Sequence, residues 1–381
     1  MIQEFQNIFA QFTGIQLIVF AAFVVVYLIR LLYLFLFTGR VVFRKKSEKK
    51  TAVNTPVTLL FTLRNEETHI RKILPKILEL EGFNFEVVVV DDYSQDSSYS
   101  VLGLLNQRYG RLKISSLNEE TRFSVKLAQN IALKSASNNW VLITPISLSE
   151  VKEGWLSGIL SGIESEPADV VCCYSSVVPA KGLFNLFYRI ENFYQQIKNA
   201  AYINNGVPFI YNEDNIAFKK EKYFQIGGYG KNIKEQYANL ELIVNAFITK
   251  KNTVVNFNSE TAIRKNIEIK RAEYMDLLQK RLRIEKYLST GKKLVLFTDA
   301  LTNLLFLPLL ALVLLLLFPL WPLIIILVGV KVVAQLLIIK ITQNRLNERK
   351  IFIPSLVYGL LMPFYMLFYK WHFNRSNGKY K

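Results

Sequence analysis

VTLLFTLRNEETHIRKILPKILELEGFNFEVVVVDD, running from Val57 to Asp92, decides the fold. Its two ends, VTLLFTL (Val57 to Leu63) and FEVVVVDD (Phe85 to Asp92), are short β-branched runs with the continuous apolarity of strands buried on both faces. Between them HIRKILPKILEL sets Ile70, Ile73, Leu74, Ile77, Leu78 and Leu80 at mostly helical spacing, which makes a βαβ unit. SVKLAQNIALKSA predicts a further helix and NNWVLITP a further strand. Residues 51–291 are therefore expected to form one α/β domain, a mainly parallel sheet with covering helices. Ligands of such sheets bind beyond the carboxyl ends of the strands. Arg64-Asn65-Glu66-Glu67 follows the first strand, and Asp91-Asp92-Tyr93-Ser94-Gln95-Asp96 ends and follows the second. A hydride-transfer dinucleotide fold needs a glycine-rich turn after the first strand, and this one has no glycine. Ser94 and Asp96 read as helix caps, whereas the adjacent carboxylates of Asp91 and Asp92 repel each other unless something polar or cationic engages them.

Outward from this core the chain turns oily. Of 381 residues 51% are hydrophobic and the mean hydropathy is positive, too apolar for a purely soluble protein. Residues 15–37 carry the single charge Arg30 and are long enough to cross a hydrocarbon core of about 30 Å. The preceding residues 1–14 contain no basic residue, which argues against a cleaved signal peptide and is expected to leave the N-terminus outside. Residues 38–50, ending in RVVFRKKSEKK, mark the cytoplasmic end by the positive-inside rule and suit anionic headgroups. Two further spans, 294–317 and 319–339, are separated by Pro-Leu-Trp-Pro at Pro319 to Pro322 and followed by the basic KITQNRLNERK. The last apolar stretch, 352–369, contains Pro354 and Pro363 and precedes a basic tail, 370–381; a span and a re-entrant or interfacial segment both fit it. The main domain is expected on the cytoplasmic side of a bacterial inner membrane.

Forty-seven Lys and Arg against thirty Asp and Glu leave a net charge of +17, which calls for an anionic partner. Because the basic clusters flank apolar segments, membrane lipid is that partner and nucleic acid is not. Cys172 and Cys173 are adjacent and face opposite ways along a strand, so no disulfide framework exists. A transporter is disfavoured, since only Arg30, Asp299 and Lys331 put charge within the apolar helices. KGLFNLFYRIENFYQQIKNAAYI places Leu183, Leu186, Phe187, Ile190, Phe193, Tyr194 and Ile197 on one helical face, suited either to a bilayer surface or to the core.

TPVTLLFTLRNEETHI, FEVVVVDDYSQDSS, the lysine before an alanine-rich helix, GWL at Gly154 to Leu156, NIAFKKEKYFQIGGY, NLELIVNAF and the flanking apolar helices together resemble the membrane-attached family 2 glycosyltransferases, inverting enzymes of GT-A fold. The resemblance covers nearly the whole chain. It implies a cytoplasmic site that takes a nucleotide-diphospho-sugar donor and passes the sugar to a lipid or glycan acceptor. Arg64, Asn65 and Glu66 would then line the nucleotide pocket, Asp91 and Asp92 would hold base and ribose, and Lys126 would stand near the diphosphate.

Three motifs of that family are degenerate here. The DxD motif, whose acids hold Mg²⁺ or Mn²⁺ against the diphosphate, falls on Pro145-Ile146-Ser147, so the family's metal is implied while its ligands are absent. The general base falls on Asn239, after Ala238, and a carboxamide cannot take the acceptor's proton. Glu241, Glu213 and Asp214 are the substitutes near that position. The QxxRW motif is represented by Gln279, with Arg281 and Arg283 displaced and no tryptophan. Lys126, Arg281 and Arg283 are the cations available to replace the metal. Two functions follow: a divergent, metal-independent transferase, or a catalytically inactive scaffold or regulatory subunit of a partner glycosyltransferase.

Overall fold

The structure is a computed structural model and describes residues 12–43, 55–121, 123–165 and 167–378. In chain order its main elements are α1 (Gly14–Leu32), β1 (Val57–Leu63), α2 (Glu67–Leu78), β2 (Phe85–Asp91), α3 (Ser98–Arg108), β3 (Leu112–Ser116), α4 (Ser124–Ser135), β4 (Trp140–Ile143), α5 (Glu153–Ile163), β5 (Val170–Cys173), β6 (Ser175–Val177), α6 (Leu183–Asn204), β7 (Ile216–Lys219), α7 (Lys220–Gln225), α8 (Leu240–Phe247), β8 (Thr253–Asn256), β9 (Ile263–Lys265), α9 (Arg271–Tyr287), α10 (Thr290–Leu316), α11 (Trp321–Arg345) and α12 (Phe352–Gly378). They form two compact units.

Within the described residues, the α/β unit comprises 55–288 and, from much later in the chain, 345–351. Its seven-stranded sheet runs β3-β2-β1-β4-β7-β5-β8, with every pairing parallel except those that β7 makes to β4 and β5. Strands β1 and β2 are buried on both faces, as their unbroken apolarity requires. Helix α2 closes one face with Ile70, Ile73, Leu74, Ile77 and Leu78, each worth about 1.5–3 kcal/mol of burial. Helix α5 lies so close to the sheet that a Cβ at Gly162 would stand 2.8 Å from Val171 Cγ1. Cys172 and Cys173 are buried free thiols that burial raises to about 12 and well above, so neither is a ready nucleophile.

Of the apolar stripe on α6, Ile190, Phe193 and Ile197 are buried in the unit, Leu186, Phe187 and Tyr194 are half-buried and Leu183 is exposed, while the polar Arg189, Glu191, Asn192, Gln195, Gln196 and Asn199 are buried. Two of these amides hold β6, Asn192 Nδ2 donating to Ser175 O at 2.7 Å and Gln196 Oε1 accepting from Ser175 N at 3.0 Å. A short second sheet, β6 parallel to β9, extends beyond the edge formed by the carboxyl ends of β1, β2, β4 and β5.

The other unit comprises 12–43, 289–344 and 352–378 among the described residues. Among the described residues four helices are long and apolar enough to cross a membrane: Gly14–Val42, Thr290–Leu316, Phe318–Arg345 and Phe352–His372. The final stretch is a continuous helix despite Pro363. Phe23, Val26 and Tyr27 of α1 pack with Phe306 and Val313 of α10 and with Ile324 of α11. Arg30 meets Asp299 at 2.7 Å inside this unit, which neutralises two of the three intramembrane charges against each other. The basic cluster Arg44 to Lys50 lies outside the described residues.

Residues 345–351, from the basic stretch after α11, belong to the α/β unit, so that unit is discontinuous in sequence. Leu346 and Ile351 are fully buried there, and the Glu348 carboxylate, also fully buried, meets Arg189 Nη2 at 2.7 Å and accepts from the Tyr174 hydroxyl at 3.2 Å. A loop called basic is thus anchored by its one acid.

Candidate functional site

The turns that leave the carboxyl edge of the sheet carry the candidate residues. Asn65 adopts a left-handed conformation (φ 55°) that asparagine tolerates, and its side chain accepts Gln95 N–H at 2.7 Å, tying the turn after β1 to the turn after β2. Asp96 accepts the amides of Glu67 at 3.2 Å and Ser98 at 2.9 Å, the capping role its residue type suggests. Glu66 is bound to His69 Nδ1 at 2.6 Å, and the exposed Arg64 to Glu120 at 2.7 Å.

Asp91 and Asp92 separate into different roles. Both oxygens of Asp91 are spent on the turn, accepting Ser94 N–H at 3.0 Å and the Ser94 hydroxyl at 2.5 Å. Asp92 accepts the Ser124 hydroxyl through Oδ2 at 3.0 Å, while its Oδ1 is buried without a hydrogen-bond partner. Burial raises the Asp92 carboxyl, a shift opposed by Ser124 and by the charge of Arg64. An unmatched buried acceptor is costly, about 1–3 kcal/mol, and is met by a donor that arrives with a ligand.

Lys126 is neither a solvated lysine nor free for a phosphate. Its ammonium is buried at the first turn of α4 and donates to the carbonyls of Asn232 at 2.9 Å, Ile233 at 3.3 Å and Glu235. Burial pulls its pKa down, against the carboxylates of Glu235, Glu241 and Glu213. Arg281 meets Glu191 at 3.0 Å and Glu285 at 3.1 Å. Arg283 lies 3.9 Å from Glu235 and over the Tyr237 ring, and Gln279 leaves its buried Oε1 without a partner. The cations expected to meet a diphosphate are thus held by the protein's own groups.

At the degenerate metal motif, Pro145 offers no donor atom in its side chain and Ser147 only a buried hydroxyl, so the set does not fit a hard divalent ion, which needs several carboxylate or carbonyl oxygens. The nearest acids are committed elsewhere. β4 and β7 pair with Ile143 opposite Ile216, which brings Asp214 and Glu213 to the edge where Pro145 leaves the sheet. Asn215 clips this turn: it is fully buried at φ 61°, donates to Tyr174 O at 3.0 Å and Thr261 O at 2.8 Å, and accepts Trp155 Nε1–H at 3.1 Å. Asp214 pairs with Lys265 at 2.6 Å; burial opposes its ionisation, yet Lys265 holds its carboxyl below the ordinary value. Asn215 opens the stretch NIAFKKEKYFQIGGY but carried no assigned role, and nothing in the residue pattern marked Lys265, which sits on a three-residue strand.

Glu213 Oε2 accepts the N–H of Leu240, the first residue of α8, at 2.8 Å, and its Oε1 accepts from Gln129 at 3.3 Å. The carboxylate therefore sits at the helix terminus that Asn239 begins. Glu241, the second residue of α8, is completely buried and lies 2.8 Å from Lys280. Burial raises its carboxyl to about 8, the Lys280 ammonium counteracting this and the Glu213 charge adding to it. A folded-state pKa raised from 4.5 to about 8 contributes stability that is complete below pH ~4.5 and lost as pH rises toward 8. Glu241→Gln, which mimics the protonated form, is expected to flatten that decline; denaturant unfolding of both proteins at pH 5 and pH 8 measures it.

A depression of about 670 Å³ between Trp140, Asp169, Lys219 and Asn252 opens at the opposite edge of the sheet, and its Asp169 and Lys219 are paired at 2.8 Å. It is remote from every motif described above.

Sheet order, acidic turn after β2 and antiparallel β7 define an α/β domain of the GT-A type, carried in a chain with four apolar helices. The sequence model of glycosyl transferase family 2 matches residues 58–224, which lie within the α/β unit. Among solved structures the chain is similar to the mannosyltransferase PcManGT from Pyrobaculum calidifontis in complex with GDP-Man and Mn²⁺, at 18% identity over 91% of this chain and 98% of that one, with a TM-score of 0.56. It is also similar to S. aureus TarS 1–349 in complex with UDP-GlcNAc, at 16% identity over 66% of this chain and 72% of that one, with a TM-score of 0.43.

Proposed function

We propose that this protein binds a nucleotide-diphospho-sugar at the Asp91–Asp92 edge and transfers the sugar, without a divalent cation, to a lipid or glycan acceptor at the cytoplasmic face of a bacterial inner membrane. The observation that carries the reading is Asp92 Oδ1, a buried acceptor left open at the edge where GT-A domains take their nucleotide and suited to a base N–H or a ribose hydroxyl. In the transfer, the acceptor oxygen bonds to the anomeric carbon while the bond from that carbon to the diphosphate oxygen breaks. The electron pair leaves with the nucleoside diphosphate, and the acceptor's proton passes to Glu213. PcManGT was solved with GDP-Man and Mn²⁺, and the present chain shares that fold while offering proline and serine at its own metal motif. The basic stretches RVVFRKKSEKK and KITQNRLNERK support the cytoplasmic placement.

Calorimetric titration of the detergent-solubilised chain with UDP, GDP and their sugar conjugates, with and without Mg²⁺ or Mn²⁺, tests the proposal. Binding is expected without metal and is expected to weaken at least tenfold in Asp92→Ala. A second reading, a scaffold that keeps the fold without the chemistry, is favoured by the internal pairing of Lys126, Arg281 and Arg283. Failure of every nucleotide to bind decides for it.

A further inference from the structure

The segment in the place of the metal motif runs beside β9. Ser147 O accepts Asn266 N–H at 2.6 Å, and Leu148 forms an antiparallel bridge with Lys265. Lys265 therefore leaves the backbone next to the lost carboxylates. Adjacent side chains of a strand face opposite ways, and here Arg264 turns to the carbonyls of Leu346 and Asn347, at 3.1 and 2.8 Å, while Lys265 Nζ reaches Asp214 Oδ2 at 2.6 Å. Helix α9 brings a second ammonium: Lys280 stands 2.8 Å from Glu241 and is within electrostatic reach of both Lys265 and Asp214. Two buried ammonium groups in one neighbourhood repel, and here the carboxylates of Asp214, Glu241 and Glu213 face them. Each ammonium has three donors, and Lys265 spends one on Asp214. Lys126, Arg281 and Arg283 are also held by carbonyls or acids, and none of them stands on the strand bridged to Leu148.

We propose that the Lys265 ammonium, supported by Lys280, replaces the divalent cation and neutralises the diphosphate of a nucleoside-diphosphate donor. This rests on the nucleotide reading of the Asp92 edge and names the group that binds the ligand's charge. It accounts for the loss of both motif acids: with an ammonium present, carboxylates at Pro145 and Ser147 would neutralise the charge the diphosphate needs.

The test is titration of the full chain in EDTA with UDP and GDP, and with uridine and guanosine as probes lacking phosphate. Diphosphate binding is expected to be unchanged within twofold between EDTA and Mn²⁺. It is expected to weaken at least tenfold in Lys265→Ala, to stay within threefold in Lys265→Arg, and to tighten at least threefold in Asp214→Asn, where the competing carboxylate is gone. Nucleoside binding is expected to stay constant in all three. Wild-type diphosphate affinity in Lys265→Ala, or a requirement for Mn²⁺, overturns the proposal. Where Lys265→Ala does not fold, Asp214→Asn decides, and unchanged or weakened binding overturns it. Nucleosides that bind as tightly as diphosphates overturn this inference alone, whereas no binding by either class removes the nucleotide pocket and this inference with it.

Discussion

Replacing Glu348 by alanine is expected to destabilise the α/β unit by about 3–5 kcal/mol, the usual consequence of removing one partner from a buried ion pair. Arg189 is 3% exposed and Glu348 not at all, so the guanidinium left behind has no water to turn to. The loop also stands on two further contacts of the same acid: the Tyr174 hydroxyl at 3.2 Å and the Arg264 guanidinium at 3.8 Å. Tyr174 has its own ionisation suppressed, first by burial and then by the Glu348 charge. In the same loop Asn347 and Lys350 adopt φ values of 55° and 62°, conformations that tertiary contacts must hold in place. Glu348→Gln keeps an acceptor for Arg189 and is expected to lose less than half as much. Hydrogen exchange at the amides of α6 and β9 in detergent measures the effect where it arises. Protection unchanged in Glu348→Ala would show that the loop is not held by this acid.

The parts of the fold that were legible are those whose signal is local. Val57 to Leu63 and Phe85 to Asp91 are apolar throughout because both faces of β1 and β2 are covered, and the spacing of Ile70, Ile73, Leu74 and Ile77 follows from one helix face meeting that sheet. The apolar helices were legible for the same reason. What escaped was polar and non-local. On α6, Asn192 and Gln196 resemble a solvent face in sequence, yet they are buried and bind the backbone of β6. Lys126 was read as a ligand contact or a surface residue, whereas a loop some hundred residues later encloses it in carbonyls. Glu348 stands in a basic stretch whose net charge conceals the acid that pairs with Arg189. The degenerate motifs show the same limit from the other side. Pro145, Ser147 and Asn239 announce in sequence what chemistry is missing, but Glu213 and Lys265 come near those positions only through the pairing of β7 with β4 and the bridge of β9 to Leu148.

Glu213→Gln is expected to slow sugar transfer by about 10²- to 10⁴-fold, the contribution of a positioned general base. The substitution is chosen because an amide oxygen still accepts the Leu240 N–H, so the start of α8 keeps its cap and nucleotide affinity is expected to stay within twofold. Release of nucleoside diphosphate from whichever nucleotide sugar binds in titration gives the rate, with water as the acceptor where no other is supplied. Glu241 is not a competing candidate for direct contact, because it is wholly buried and paired with Lys280. Glu241→Gln is therefore expected to change the rate far less than Glu213→Gln. Asn239→Asp adds the discriminating arm, since it restores an acid at the family position on the same helix terminus. If the Glu213 carboxylate has taken over that position, Asn239→Asp gives no gain in the wild-type background and recovers at least tenfold in Glu213→Gln. A gain in the wild type alone would mean that the base is missing and that Glu213 serves only to cap α8. A rate unchanged by Glu213→Gln would remove this carboxylate from the chemistry altogether.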